Sequence, residues 1–347
     1  MKEILPIVMN LSFVKLAVID DYISLIWTTR YYECGDFELV VNVDKSAMQL
    51  FRQGYYLMRE DDENVGIIEQ IQIQQDEDLQ ETLIVTGRFL PSILGRRIIA
   101  VQTTVDGTLS NAINKLINEN VINPSISARR IANFVLGSHD ISMNIQAQFT
   151  GKNLLDTISE LCKTYGIGMK VTLDSSNRFV FNLYQGVDHT YNQNSRPYVI
   201  FSDKYDNLLS SEYEENYQQI VNAVLVAGEG EGLERKTAWV SDGKTGLDRY
   251  ELYDDSRNVR SNEGEISEDE YQKLLIEAGK EKMTKFTAAF SGTVYFDNIK
   301  YREDVNVGDL CVIENSRWGI YLNTRLVEVI ESVAETGEYS IVPTFGV

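Results

Sequence analysis

Short runs of β-branched and aromatic residues, separated by acidic turns, fill the N-terminal part of this chain. The segment 67–73 ends in an alternation of apolar and polar side chains with a period of two. This pattern is typical of a strand with one buried face. The acidic segments 60–64 and 75–78 are interpreted as solvated hairpin tips. The predicted strands are 13–19, 37–43, 55–59, 65–73 and 79–86. We therefore expect an antiparallel β unit here.

A helical period replaces the strand pattern in the next segment. The first predicted helix follows Asp106 and Thr108, which are alternative N-caps, and its apolar positions are Leu109, Ile113, Leu116 and Ile117. A second helix is predicted at Leu154–Tyr165, and Gly166 stands where a helix commonly ends. Its apolar stripe consists of Leu154, Leu155, Ile158 and Leu161. Strands predicted at Gly168–Leu173 and Phe179–Tyr184 complete an α/β unit.

Strand patterns return near Tyr198. Residues 220–227 and 236–240 are predicted strands joined by the glycine-rich segment 228–232. A third helix is predicted from the capping box Ser267–Glu270 towards Phe286, and strands follow from residue 288 to the C-terminus.

The first and last β regions resemble each other. The segment 54–60 corresponds to 308–314, and Gly54 and Gly308 are interpreted as turn residues. A Gly-Ile pair follows each segment, then a long strand and a closing strand, 83–87 or 339–343. This correspondence predicts two related antiparallel barrels, one at each end of the chain.

The expected fold class is α+β and mainly β. It comprises two related antiparallel β-barrel domains, an α/β domain between them and a small helical insertion. The predicted division is 1–98 for the N-terminal barrel, 99–197 for the α/β domain, 198–240 with 286–347 for the second barrel, and 241–285 for the inserted domain.

The formal net charge of −20 would repel nucleic-acid phosphates and anionic membranes, so no direct nucleic-acid binding is expected. Cys34, Cys162 and Cys311 lie far apart and are odd in number, which predicts reduced thiols in the core of a protein made in a cytoplasm. The sequence contains neither a signal-peptide pattern nor an apolar run of transmembrane length. We therefore expect no signal-peptide secretion and no membrane span.

Patterns that indicate catalysis are sparse. Neither His139 nor His189 has a partner at metal-ligand spacing, and the HExxH, GxSxG and Walker A motifs are absent from the sequence. The segment 228–232 resembles a phosphate loop only in its glycines, because Glu229 and Glu231 would repel phosphate. A flexible turn is predicted there. We assign no catalytic, cofactor-binding or metal-binding residue, and we expect no cofactor and no enzymatic activity.

Acidic and aromatic groups offer weaker candidates. The acidic pairs Asp20–Asp21, Glu214–Glu215 and Asp254–Asp255 are expected by chance among 52 acidic residues. Four acidic residues that lack EF-hand spacing are Asp203, Asp206, Glu212 and Glu214. Tyrosines that could grip a sugar or receptor are Tyr31, Tyr32, Tyr55, Tyr56 and Tyr191. For these tyrosines, core or interface roles are favoured.

Six segments in order along the chain carry a family resemblance. They are 27–39 (WTTRYYECGDFEL), 85–90 (VTGRFL), 151–155 (GKNLL), 226–232 (VAGEGEG), 261–265 (SNEGE) and 343–346 (PTFG). They resemble the siphovirus ReqiPepy6 gp37-like family of tail proteins, which is common in phages and prophages of Gram-positive bacteria. Two departures are Cys34, where the family has Pro or another small residue, and the apolar stretch 4–16.

The resemblance implies a structural tail hub, at the baseplate or tail tip, that forms a homotrimer. Two similar barrels per chain would give a pseudo-sixfold ring that joins the tail tube to the tip or spike. The implied partners are a tail-tube or distal-tail protein and a spike or fibre protein, and the implied location is the virion tail, assembled in the host cytoplasm. Part of the negative charge would either line the channel or lie on a solvated outer face. The alternatives are a cell-wall hydrolase and a module that binds host-surface carbohydrate.

Overall fold

The computed structural model describes most of the chain. The described residues are 4–75, 81–208, 210–218, 220–261, 266–284, 287–291, 294 and 299–346. Strands account for 41% and helices for 21%, which confirms the mainly β class. Residues 76–78 of the predicted turn, the segment 262–265 of the resemblance and Phe286 lie outside the described residues, and the helix predicted to run towards Phe286 ends at Lys282.

Seven strands and a short helix form what we call the first β unit. Alternate side chains of its central strands are buried, including Phe37, Leu39, Leu83 and Val85. They pack around Trp27, which is fully buried. The elements are β1 (Ile7–Met9), β2 (Lys15–Val18), β3 (Ser24–Arg30), β4 (Asp36–Asn42), α1 (Lys45–Leu50), β5 (Tyr56–Met58), β6 (Val65–Gln75) and β7 (Glu81–Phe89). The sequence pattern predicts β2 and β4–β7 but not β1 and β3.

The α/β unit follows. Thr108 caps its first helix, and the second helix occupies the predicted Leu154–Tyr165 with all four stripe residues buried. Asn153 caps that helix through Leu155 N and Asp156 N, and Gly166 ends it at φ 68°. The elements are β8 (Thr103–Thr108), α2 (Leu109–Ile117), β9 (Phe134–Leu136), β10 (Asn144–Phe149), α3 (Leu154–Tyr165), β11 (Gly168–Leu173) and β12 (Phe179–Tyr184).

The remaining elements form the second β unit and an insertion within it. The elements are β13 (Ile200–Ser202), β14 (Glu212–Asn216), β15 (Ala223–Ala227), β16 (Thr237–Ser241), β17 (Glu251–Asp255), α4 (Glu268–Lys282), β18 (Thr287–Ser291), β19 (Leu310–Asn315), β20 (Ile320–Val333) and β21 (Tyr339–Gly346). Strands β15–β17 and helix α4 make up the inserted unit, and α4 begins at the predicted Ser267 capping box. No helix in the described part of the chain is long and apolar enough to cross a membrane.

The two β units share one strand order. It is β3-β4-β7-β6-β5-β1 in the first unit and β14-β18-β21-β20-β19-β13 in the second. Gly54 and Gly308 have φ angles of 85° and 103°, and each donates its N–H over 2.7 Å to a carbonyl just before a bulge, that of Ile68 or Leu326. The internal correspondence in the sequence thus reflects a shared strand order, although the outermost pair is antiparallel in the first unit (β1–β5) and parallel in the second (β13–β19).

Strand β3 joins the units because it pairs antiparallel with β20, with Trp27 opposite Glu331. The result is one continuous 13-stranded sheet. Within the described residues no sheet closes into a barrel, so the predicted pair of separate barrels is not observed. The physical reason is that β3 of the first unit occupies the edge of β20 on which a closing strand of the second unit would have to lie.

Candidate functional site

The joint between β3 and β20 buries a cluster of charged side chains. Glu331 and Arg59 are each only 1% exposed, although they come from different β units. Arg59 Nη1 and Nη2 donate to the two Glu331 oxygens at 3.2 and 3.1 Å. The Tyr339 hydroxyl donates to Glu331 Oε1 at 2.7 Å. This carboxylate is therefore held from both units at once.

Further charges surround this pair. Arg59 forms a two-pronged contact with Asp61, at 2.9 and 2.8 Å, and Arg302 donates to Glu331 and Asp62. The Trp27 indole N–H donates to Asp62 Oδ2 at 2.7 Å. We call these five charged residues the joint cluster: Arg59, Asp61, Asp62, Arg302 and Glu331. It ties the turn after β5 to the segment before β19 and so fixes the register of the two units.

The electrostatics of the joint cluster follow from burial and pairing. Burial disfavours the charge of Glu331, but Arg59 and Arg302 outweigh it and hold the pKa of Glu331 below its usual range. Burial also opposes the Arg59 charge, yet Asp61 and Glu331 raise its pKa. Three carboxylates face only two guanidinium groups. For Asp62, burial has a larger effect than the nearby arginines and raises the pKa of its carboxyl group.

Tyr31, at the end of β3, connects both β units to the α/β unit. It is fully buried, which confirms the core role favoured for it. Gly186 N donates to its hydroxyl at 3.1 Å, and Arg325 lies 5.1 Å from its ring centroid. A Cβ added to Gly308 would lie 2.3 Å from the ring. A side chain at Gly308 would thus collide with the point where the three units meet.

A polar cleft of about 430 Å³ opens beside the joint cluster. Lys170 bridges to Glu63 at 2.8 Å within its lining and lies 5.3 Å from the Tyr184 ring. No group of three or more His, Cys, Asp or Glu side chains in the described residues is placed to hold a metal ion.

The structure places the candidate histidines apart. His139 Nε2 lies 2.9 Å from Asn114 Oδ1, and burial lowers its pKa. His189 Nδ1 donates to the Pro197 carbonyl at 3.0 Å, and its Nε2 lies 3.6 Å from Asp309.

The glycine-rich segment 228–232 forms a turn tied by Arg235, which donates to the carbonyls of Ala227 and Gly228. Asp254 accepts a hydrogen bond from the Ser256 hydroxyl, and Asp255 pairs with Arg235 and Arg257.

The remaining acidic candidates do not converge on one point. Asp203 accepts from the Ser316 hydroxyl at 2.6 Å, Glu212, Glu214 and Glu215 lie along β14, Asp206 follows a single helical turn, and Asp20 and Asp21 precede β3. Of the candidate tyrosines, Tyr32, Tyr55 and Tyr56 pack against hydrophobic cores. Tyr191 is 46% exposed and lies 6.3 Å from Tyr321 with parallel rings.

Sequence reasoning missed the joint cluster. The interpretation of 60–64 as a solvated hairpin tip is wrong for Asp62, whose side chain is only 3% exposed. The one local signal is Arg59, a cation placed directly before four acidic residues. The other members of the cluster, Arg302 and Glu331, lie more than two hundred residues away, where no local pattern connects them to Arg59.

Comparisons with known proteins agree with this architecture. A family model described as Siphovirus ReqiPepy6 Gp37-like protein matches residues 7–347. A tail protein from Neisseria meningitidis MC58 matches with a TM-score of 0.60 and 14% identity, over 100% of this chain and 97% of the other. Prophage tail protein gp18 from Listeria monocytogenes EGD-e gives 0.55 and 11%, over 98% and 94%. The 43 kDa tail protein of prophage MuSo2 from Shewanella oneidensis gives 0.57 and 13%, over 98% of both chains. At these identities the likeness shows a shared fold. A comparison with curated protein sequences gives no match.

Proposed function

This chain belongs to the Siphovirus ReqiPepy6 Gp37-like family, and from that premise we propose that it is a structural, non-enzymatic subunit of a phage-type tail hub. Three copies form a ring that joins the tail tube to the tip or spike. The observation that carries this proposal is that two β units of one strand order are joined through one pair of edges, while among the described strands the equivalent pair of edges is largely unpaired.

The equivalent edges follow from the strand order. Strand β14 holds the place in the second unit that β3 holds in the first, and β6 corresponds to β20. Among the described strands, nothing pairs with the outer edge of β14, and β5 covers β6 only at residues 65–67. Such free edges tend to recruit another strand. Pairing of β14 with β6 of the next copy would repeat the β3–β20 joint between chains.

The correspondence also predicts the register. Trp27 lies opposite Phe37 in β4, and Tyr213 lies opposite Phe290 in β18, so Tyr213 holds the position of Trp27. Gln70 follows the bulge of β6 and Glu328 follows that of β20, so Ile73 holds the position of Glu331. Since Trp27 pairs with Glu331, Tyr213 is expected to pair with Ile73 of the next copy.

At its centre this register pairs two side chains that face the cores of the β units, while Glu215 lies opposite Ile71. Tyr213 packs partly against the core of its own unit, and Ile71 beside Ile73 packs against the core of the first unit. The neighbouring pair, Glu214 with Gln72, then lies on the other, polar face. A slip of one residue would place every side chain on the wrong face, so the register is strongly specified.

Closure of the ring then comes from assembly and not from the single chain. Eight strands from β14 to β6 lie on the continuous path of each chain, so three copies would contribute twenty-four. In this ring the two β units take the place of the two predicted barrel domains. The α/β unit and the inserted unit would lie outside the ring. The ring would have six similar units, suited to a sixfold tube on one side and a threefold spike on the other. Its location would be the virion tail, assembled in the host cytoplasm.

The oligomeric mass tests the proposal first. Light scattering of the purified protein over a range of concentrations should give three times the 39.5 kDa chain mass, alone or after addition of the tail-tube or distal-tail protein. A chain that remains monomeric under all these conditions would refute the hub.

Cross-linking tests the register. Opposed residues in adjacent antiparallel strands have Cβ atoms about 4.5–5.5 Å apart, close to disulfide geometry. The double variant Gln72→Cys/Glu214→Cys should therefore give covalent species that end at the trimer on mild oxidation. The matched control Gln74→Cys/Glu214→Cys, two residues out of register, should cross-link far less. Equal yields from both variants would contradict the proposed pairing.

A further inference from the structure

One tetrapeptide pattern occurs twice in the inserted unit. Residues 232–235 and 246–249 both read Gly-Leu-acid-Arg. Each begins with a single 3-10 turn whose glycine has positive φ, 56° at Gly232 and 62° at Gly246. The first turn leads into β16 and the second into β17. Two equivalent turns thus flank one small sheet.

The arginine of each turn lies over an aromatic ring of the other strand. Arg235 lies 5.9 Å from the centroid of Tyr253 in β17 and donates to its hydroxyl at 2.7 Å. Arg249 lies 5.0 Å from the centroid of Trp239 in β16. Trp239 and Tyr253 both pair with Leu225 of β15, so these three side chains form one row across the sheet. The two arginines therefore hold the rings of Tyr253 and Trp239 in place on the face of the sheet.

The leucine of each turn is left in solvent. Leu233 and Leu247 have relative exposures of 107% and 97%. Since β15 runs antiparallel to β16 and parallel to β17, the two turns lie at opposite ends of the sheet, about 16 Å apart for a five-residue strand. Helix α4 covers the other face of the sheet through Leu274 and Leu275. The outer face therefore carries the row of Trp239, Leu225 and Tyr253, with a turn that exposes a leucine at each end of the sheet.

The charges around this face determine which kind of partner could bind there. Residues 228–257 contain eight acidic and five basic side chains, and Arg235 and Arg249 are paired with Asp255 and Glu251. Each exposed leucine is followed by an exposed carboxylate that forms no ion pair within the described residues. The same face of a second copy carries the same excess of carboxylates, and an anionic membrane is likewise negative, so both would be repelled.

We propose that this outer face docks a second, different tail component, whose surface offers an apolar recess beside a basic side chain at each of two points. The inference rests on the proposed hub function and assigns the inserted unit a role outside the ring. The exposed leucines supply the apolar anchors, and the adjacent carboxylates fix the orientation and accelerate the encounter.

Pairwise binding measurements test the docking face. The wild-type protein is immobilised and exposed to the purified tail-tube, distal-tail and spike proteins of the same phage. Leu233→Ser/Leu247→Ser should weaken binding of one of them at least about tenfold. Glu234→Lys/Asp248→Lys should also weaken it, and added salt should weaken wild-type binding. The control Ile126→Ser removes another exposed apolar side chain, 59% exposed, and should leave binding unchanged.

Light scattering on the same samples separates the two proposals. If the leucine variant forms trimers as wild type does but loses the partner, both proposals hold. If trimers form and a partner binds both forms equally, or if trimers form and none of the three proteins binds, the docking inference fails and the ring stands. If the wild-type protein neither trimerises nor binds any of them, the hub function fails as well.

Discussion

Neutralising Glu331 is the sharpest test of the joint cluster. The substitution Glu331→Gln keeps the shape of the side chain but removes the charge that Arg59 and Arg302 share. Breaking a buried ion pair by removing one partner costs about 3–5 kcal/mol. Because Asp61 and Asp62 still face the two guanidinium groups, we expect the lower end of this range, about 3 kcal/mol.

Tryptophan fluorescence reports this loss directly. Trp27 is fully buried against the joint cluster, whereas Trp239 and Trp318 are each 51% exposed, so Trp27 dominates the change in emission on unfolding. With a urea dependence of about 3 kcal/mol/M, the unfolding midpoint should fall by about 1 M. The control Glu335→Gln alters an exposed carboxylate just beyond β20 and should change stability by less than about 0.5 kcal/mol.

A double-mutant cycle separates pairing from general damage. Arg59→Gln and Glu331→Gln together should destabilise less than the sum of the single changes, with a coupling energy of about 1–3 kcal/mol. If Glu331→Gln proves as stable as Glu335→Gln, or if the two changes are additive, the cluster does not hold the β units together and the reasoning is wrong.

Three further outcomes are expected. Gly308→Ala should lower the thermal midpoint much more than Gly243→Ala, because both glycines have positive φ but only a Cβ at Gly308 meets the Tyr31 ring; equal effects would indicate backbone strain alone. Since the pKa of Glu331 is lowered from 4.5, its contribution to the free energy of unfolding is present above pH 4.5 and lost as pH falls through the folded value, so urea midpoints of wild type and Glu331→Gln should converge in acid. Burial raises the pKa of the Cys162 and Cys311 thiols, which are both fully buried, so Ellman's reagent at pH 8 should modify these two only after unfolding, and their rapid modification in native protein would contradict their burial.

Local signals predicted the elements that depend on local physics. Helix α3 has its apolar stripe and terminal Gly166 within a few residues of each other, and the Ser267 capping box marks the start of α4. The correspondence of Gly54 with Gly308 is likewise a matter of turn geometry at each site. These features could be predicted from the sequence because each is decided by neighbours along the chain.

The joint could not be predicted in this way. Strand β3 is not among the predicted strands, and its pairing with β20 joins residues about three hundred positions apart. Asp62 lies in an acidic run that resembles a solvated turn, and the approach of Arg302 and Trp27, added to two hydrogen bonds from nearby Asn64, makes burial of its carboxylate tolerable. The predicted second barrel is not observed for the same reason, because a long-range strand pairing decides which edge is filled.

The joint within a chain and the proposed joint between chains differ in chemistry. The first forms once, during folding, whereas the second forms each time two folded subunits associate. Within a chain, the buried ions are desolvated once, during folding, and their arrangement fixes one register between the units. Between chains, the position of Glu331 corresponds to Ile73, so the paired ions of the joint cluster have no counterpart there, and the carboxylate that the register brings to the same face is that of Glu215, opposite Ile71. Desolvating an ion cluster at each encounter would oppose association, whereas pairing Ile73 with Tyr213 would favour it. Replacing Ile73 by Glu should therefore abolish the trimer in light scattering while leaving the Trp27 emission of the folded chain unchanged. A trimer that tolerates this charge would show that the subunits meet through other edges.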